Sequence, residues 1–248
     1  RKQSSATRWS WRKTPKTDKV FRAVDDISFS LMRGTSLGLV GESGCGKSTT
    51  SSIIARLMNL TSGEVIFNGE NISSYRAETF ARRPERKKIQ MVFQDSTDSL
   101  NPSHTAHDSI AEPLKRLLKM RDRDLVREKV EALADRVGLP ANLLSRFPHQ
   151  LSGGQKARVG IARAIAVDPE LLILDEPTSA LDVSVQAVVL QLLDRLKHEL
   201  GMSYIFVSHD LNVVRLLCEN VVVMNRGKIV EQGGADEILR CPTEPYTK

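Results

Sequence analysis

The stretch Gly41-Glu42-Ser43-Gly44-Cys45-Gly46-Lys47-Ser48-Thr49 decides how the chain is read. It follows the apolar run 36–40, precedes a helical pattern, and satisfies G-x-x-x-x-G-K-[ST], the spacing of a loop that wraps a polyphosphate. Backbone amides must approach phosphate oxygens closely, and Gly41, Gly44 and Gly46 permit the backbone angles and the clearance for that. The helix beginning near Lys47 points the positive end of its dipole at the anion. Lys47 supplies a full charge for the β and γ phosphates, and the Ser48 hydroxyl is placed for Mg²⁺. Ser43, Cys45 and Thr49 belong to the same binding stretch.

Outward from this loop, short runs rich in Val, Ile and Leu alternate with helical patterns and Gly-containing turns, which predicts an α/β fold. Strands are expected at 36–40, 89–93, 171–174, 204–208 and 221–224. Residues 27–31 and 64–67 read as antiparallel strands, the second closed by the turn pair Asn68 and Gly69. From about 108 to 144 the pattern is helical and charged with no strand signal, as an inserted helical subdomain would be. The basic run 82–88 is expected on the surface beside a strand.

Leu171-Leu172-Ile173-Leu174 ends in two carboxylates, Asp175 and Glu176. Adjacent acids at the end of a buried strand are costly unless a cation or a reaction uses them. Beside a phosphate loop, Asp175 is suited to hold Mg²⁺ through its water shell and Glu176 to polarise an attacking water as general base. Leu151-Ser152-Gly153-Gly154-Gln155 precedes an amphipathic helical pattern running to about Val167. Read from its residues alone it is a second helix N-terminus with a Ser cap and exposed amides, an ordinary cap or a second anion site.

With that motif lying between the phosphate loop and the Asp-Glu strand, the chain resembles the ATPase subunits of ATP-binding cassette (ABC) transporters. The resemblance covers roughly residues 20–247, with 1–19 as a basic N-terminal extension, 20–248 as the nucleotide-binding domain and about 100–165 as its helical subdomain. It implies an α/β, RecA-like P-loop NTPase core with an antiparallel β subdomain and an inserted α-helical subdomain. It implies further that Gln94 contacts Mg²⁺ and the attacking water, that His209 in Val207-Ser208-His209-Asp210 meets the γ-phosphate, and that Ser179-Ala180-Leu181-Asp182 follows the catalytic Glu, with Asp182 at the nucleotide. Ser152, Gly153, Gly154 and Gln155 would close on an ATP held by a second cassette, head to tail. Members of this family stack adenine on an upstream aromatic; the corresponding place here holds Asp18 and Lys19, with Trp9 and Trp11 nearby.

Three segments narrow the resemblance to the oligopeptide, dipeptide and nickel importers: Gln94-Asp95-Ser96-Thr97-Asp98-Ser99-Leu100-Asn101-Pro102, Ser179 to Gln186, and Pro242-Thr243-Glu244-Pro245-Tyr246-Thr247. The function implied is ATP hydrolysis that powers peptide import, with ATP and Mg²⁺ bound. The partners implied are transmembrane permease subunits, a second ABC ATPase domain and, indirectly, an extracytoplasmic solute-binding protein. The place implied is the cytoplasmic face of a bacterial or archaeal membrane. In this reading the stretch 94–102, with Leu100, helps to form a groove for a permease helix.

Composition agrees. At 248 residues and 40% hydrophobic content the chain can bury a full core. Its apolar runs fall short of the roughly 18 to 20 residues that cross a bilayer. Three cysteines, Cys45, Cys218 and Cys241, lack the paired spacing of a zinc site or a disulfide framework. The net charge of +6 alone would also suit nucleic acid, as for a soluble ATPase of the same superfamily acting on ribosomes or DNA. Such proteins carry a tandem cassette or a long coiled coil, neither of which stands in these residues, so no nucleic acid partner is expected.

Overall fold

The computed structural model describes residues 21–94 and 99–247. The basic segment with Trp9 and Trp11, and residues 95–98, lie outside the described residues. Along the chain the elements are β1 (Ser36–Val40), α1 (Lys47–Ile54), β2 (Ile66–Phe67), β3 (Glu70–Asn71), α2 (Ala77–Phe80) and β4 (Ile89–Val92). Then come α3 (Ala106–Arg116), α4 (Arg123–Arg136), α5 (Gly153–Ile165), β5 (Leu171–Asp175), α6 (Val183–Leu200), β6 (Ser203–Ser208), α7 (Leu211–Leu217), β7 (Asn220–Asn225), β8 (Lys228–Gly234) and α8 (Ala235–Arg240).

The main sheet runs β4-β5-β6-β1-β7-β8, parallel except for β8, which returns antiparallel beside β7. Its inner strands are apolar through their middles because both faces are covered, and the side chains sort by a period of two. Leu172 and Leu174 of β5, Tyr204 and Phe206 of β6 and Val221 and Val223 of β7 enter one core with α3 to α7. Leu171, Ile173 and Ile205 face the opposite side with Ala55, Ile72 and Phe80. Val207, Val222 and Met224 pack there with Leu37, Leu39 and Cys45. Tyr204 is wholly buried, and its hydroxyl donates to the Leu193 carbonyl at 2.9 Å, so the core accepts a polar group only with its partner.

The inserted region folds as α3, α4 and α5 packed on one another. Each helix start is capped as its sequence dictates. Thr105 and Asp108 form a capping box at α3, the Asp122 carboxylate accepts two amides at α4, and Ser152 and Gln155 form a second box at α5. Such caps contribute about 1 kcal/mol each.

Several expectations need correction. Residues 27–31 form no paired strand. Their side chains still alternate, with Ile27, Phe29 and Leu31 turned to the core and Ser28 and Ser30 exposed, but no described strand offers them a ladder. The strand expected at 64–67 shrinks to Ile66–Phe67, paired with Glu70–Asn71 across Asn68 and Gly69. Both turn residues have positive φ, as the tight hairpin requires. β8 was not expected: Lys228–Gly234 has no apolar run, and the Arg226-Gly227 turn, again with positive φ at both residues, folds it onto β7. The basic run is not simply solvated. Arg83 bridges Glu70 and Glu85 and lies over the Tyr75 ring, and Arg86 donates to the Ile89 carbonyl at 2.7 Å.

Candidate functional site

Strand register brings four loop starts to one edge. Val40 lies opposite Ser208, Asp175 opposite Val207, and Val92 opposite Leu174, so the segments leaving β1, β6, β5 and β4 emerge together at the carboxyl end of the parallel strands. That edge is where open α/β sheets receive ligands.

The loop after β1 turns through positive φ at Gly41, Gly44 and Gly46. At Gly41 a Cβ would strike the Met224 carbonyl, and at Gly46 it would lie 2.5 Å from the carbonyl of Ala23, so both angle and space call for glycine. The Lys47 Nζ is drawn inward, donating to the carbonyls of Gly41 at 2.7 Å and Glu42 at 2.9 Å, with the Cys45 sulfur 3.8 Å away. Lys47 is thereby 5% exposed, a charge held under the loop by backbone oxygens.

One residue on, the Ser48 hydroxyl donates to Asp175 Oδ1 at 3.2 Å, joining the loop to the end of β5. Asp175 is 6% exposed. Burial pushes its carboxyl above the ordinary range and the Glu176 charge adds to this, against the Ser48 hydroxyl and Lys47. Glu176 stands at positive φ, its amide donating to the Val207 carbonyl at 3.0 Å. A non-glycine residue in that region is strained, and here a carboxylate is aimed by it. Gln94 Nε2 donates to Glu176 Oε2 at 3.3 Å, and His209 Nδ1 faces the same oxygen at 3.2 Å. The segments leaving β4 and β6 thus bring two side chains to one oxygen of the carboxylate that follows β5.

A second group gathers around the start of α5. Ser152 and Gln155 satisfy each other, Gln155 Oε1 accepting the Ser152 amide at 2.9 Å and Ser152 Oγ accepting the Gln155 amide at 3.3 Å. Gly153 and Gly154 lie against the start of α6: a Cβ on them would sit 3.0 Å from Leu181 and 2.5 Å from Val185. Asp182 caps α6, accepting from the Val185 amide and the Ser184 hydroxyl, which draws its carboxyl below the usual range. The sequence-predicted residues therefore fall into two places. Gly41 to Thr49, Gln94, Asp175, Glu176 and His209 form one; Ser152 to Gln155 and Asp182 form the other.

Leu100, expected in a docking groove, is 2% exposed and packs into the main core. Its neighbours Asn101 and Pro102 are exposed, while 95–98 lie outside the described residues. Three contributors were not singled out from sequence. Phe21 is 83% exposed and lies two residues before Ala23, whose carbonyl limits the space at Gly46. Arg163 of α5 reaches the Ser99 carbonyl, and Tyr246 reaches the Glu42 amide. Only the Pro-Tyr-Thr pattern around Tyr246 stood out beforehand, and it carried no hint of the long-range contact.

The residues fit a magnesium-nucleotide. Among the described residues no cluster of three or more His, Cys, Asp or Glu side chains could by itself hold a metal ion. A buried carboxylate bonded to the loop serine instead suits an ion whose other ligands are phosphate oxygens and water.

Residues 24–179 match the family model described as ABC transporter. The oligopeptide transport ATP-binding protein AppF of Bacillus subtilis is 49% identical over 92% of this chain and 68% of its own length. OppF of Salmonella typhimurium is 47% identical over 97% of this chain and 70% of its own length. Among solved structures, the ATP-binding cassette MJ0796, as a dimer in a post-hydrolysis state bound to ADP and Pi, superposes with a TM-score of 0.80 at 29% identity, covering 90% of this chain and 94% of that one. A motif series spread over four loops, a sheet that assembles it, and these likenesses agree, and the chain belongs to the ABC transporter family.

Proposed function

We propose that this chain is the ATP-binding and ATP-hydrolysing subunit of an oligopeptide importer, with the loop residues 41–49 as the phosphate cradle and Glu176 as the general base. The observation that carries this reading is the convergence of Gln94 and His209 on Glu176 Oε2, beside a phosphate loop already bonded to Asp175. The importer assignment is supported by relatives that are named oligopeptide transport ATP-binding proteins.

The chemistry follows from the side chains. Lys47 leaves the carbonyls of Gly41 and Glu42 for the β and γ phosphates, and the amides of the loop and of α1 share the charge. Ser48 and Asp175, with Gln94 nearby, would hold Mg²⁺, which when bound would supply further neutralisation of the phosphates. Glu176 accepts the proton of the attacking water while Gln94 and His209 fix the orientation of its carboxylate. His209 keeps Nδ1 on that carboxylate and presents its other ring nitrogen, Nε2, to the γ-phosphate. Phe21 offers its exposed ring to the adenine.

The second group serves a neighbouring cassette. Ser152 to Gln155 and Asp182 face the nucleotide held by a second ATPase domain, so two cassettes meet head to tail and each completes the other's site. MJ0796, which this chain resembles, is dimeric in its ADP- and Pi-bound structure. None of the described helices is long and apolar enough to cross a membrane, and permease subunits provide the path, with this chain peripheral at their cytoplasmic face. Residues of about 100–165 act as the helical subdomain, within a cassette of 20–248 that follows a basic extension of 1–19.

The test is a titration of ATP into the parent chain and into Lys47→Ala, joined to a measurement of turnover against protein concentration. Lys47→Ala loses binding by tenfold or more, and the parent's specific activity rises with concentration or on adding a partner cassette. Unchanged ATP affinity in Lys47→Ala overturns the cradle, and concentration-independent activity of a proven monomer overturns the shared site.

A further inference from the structure

The segment 242–247, legible in sequence only as a resemblance, makes a contact for which that resemblance has no role. Its Tyr246 hydroxyl accepts the backbone N–H of Glu42, inside the phosphate loop, at 3.0 Å across 204 residues of sequence. The Tyr246 ring is half-buried and packs on the main core. Ahead of it, the Thr243 amide and hydroxyl both donate to Glu231 Oε1, at 2.9 Å and 2.8 Å, fastening the segment to β8. Hydrogen bonds from this segment hold the Glu231 carboxyl at about 2. The segment is therefore a strap, anchored on the edge strand at one end and touching the loop at the other.

The bonded peptide matters because of what its other end does. The Glu42 carbonyl is one of the two acceptors of the Lys47 Nζ. One residue thus receives the strap through its amide and holds the loop lysine through its oxygen. We propose that Tyr246 is a positioning residue for the phosphate loop: its hydroxyl fixes the Glu42 peptide, so that the loop meets nucleotide already shaped. A preshaped loop loses less conformational freedom on binding, and the gain appears in affinity rather than in the chemical step. Tyr246 touches no reacting atom in this account. The proposal rests on the reading of residues 41–49 as the nucleotide cradle.

The test uses Tyr246→Phe in the full chain, which keeps the ring and removes only the hydroxyl. ATP affinity is measured by calorimetry with EDTA present, turnover with Mg²⁺ at varied ATP, and exchange of the Glu42 amide by NMR. A single neutral hydrogen bond predicts an affinity loss of about three- to tenfold, an equal rise in KM with little change in kcat, and faster exchange at Glu42 with the melting temperature held. Glu231→Ala, which frees the strap at its other end, shifts affinity the same way. Parent-like affinity in Tyr246→Phe, or a loss confined to kcat, overturns the proposal. Lys47→Ala separates the two readings. If it loses ATP while Tyr246→Phe does not, the strap idea fails and the cradle stands; if it binds as the parent does, the cradle itself fails.

Discussion

Arg163 donates through Nη1 to the carbonyl of Ser99 at 2.7 Å, joining the interior of α5 to the chain that follows Gln94. Burial pushes the guanidinium below its ordinary range, against the charge of Glu112, yet the bond keeps it in place. Ser152 caps α5 and Gln94 bonds Glu176, so this bond joins the helix of one group to the chain that leads on from the other. Replacing Arg163 by Met removes a charge-assisted hydrogen bond and is expected to cost about 1.5 to 3 kcal/mol of stability. Turnover falls about tenfold or more while ATP affinity stays within a few-fold. Denaturant melts and separate measurements of Kd and kcat check this, and parent-like turnover would remove the bond from the coupling path.

Asp175 carries the opposite kind of cost. Its folded pKa is raised, so its charged form is disfavoured by the fold, and at neutral pH the carboxylate destabilises the nucleotide-free chain. Asp175→Asn is expected to raise the melting temperature of the nucleotide-free chain and to abolish Mg²⁺-dependent turnover. A thermal melt without Mg²⁺ or nucleotide reads the first and phosphate release the second. A lower melting temperature in Asp175→Asn contradicts the cost assigned to this site.

Glu170 predicts the acid limb of the stability curve. Lys88 chiefly, with Asn68 and Arg33, holds its carboxyl at about 2, against the usual 4.5 and despite partial burial. A depressed carboxyl contributes stability that is present above the unfolded pKa and is lost as pH falls through the folded one. The contribution is therefore complete above about pH 4.5 and gone near pH 2. Glu170→Gln is expected to flatten the stability profile across that window and to leave the profile above it parallel to the parent's. Identical slopes in the two proteins between those limits would show that the cluster does not hold the Asn68 turn to the core.

Much of this was legible in the sequence because the decisive signals are local. β1, β5 and β6 announce themselves as apolar runs, since both faces of a parallel strand are buried, and the loop that follows β1 needs glycines at fixed positions whatever surrounds it. Asp175 and Glu176 stood out because two acids after a buried strand have a cost that invites a use. What stayed hidden depends on contacts distant in sequence. β8 has no apolar run because it is a partly exposed edge whose pairing comes from β7. Leu100 reads alike as a docking residue or a core residue, and only its burial in the main core decides between them. Arg163 and Tyr246 are ordinary in their own surroundings and act on backbone groups far along the chain, which no spacing rule reveals. Gly153 and Gly154 read as a helix cap, although Val185 also crowds Gly154, which spacing alone does not reveal.

In the proposed mechanism hydrolysis turns on Glu176 as the base. The direct measurement is phosphate release at saturating ATP and Mg²⁺, in parent and Glu176→Gln, at a protein concentration where the parent turns over, with ATP affinity measured alongside. General base catalysis contributes roughly 10²- to 10⁴-fold, so Glu176→Gln is predicted to bind ATP within a few-fold of the parent and to lose at least about a hundredfold in rate. Hydrolysis by Glu176→Gln at near the parent rate would contradict the account.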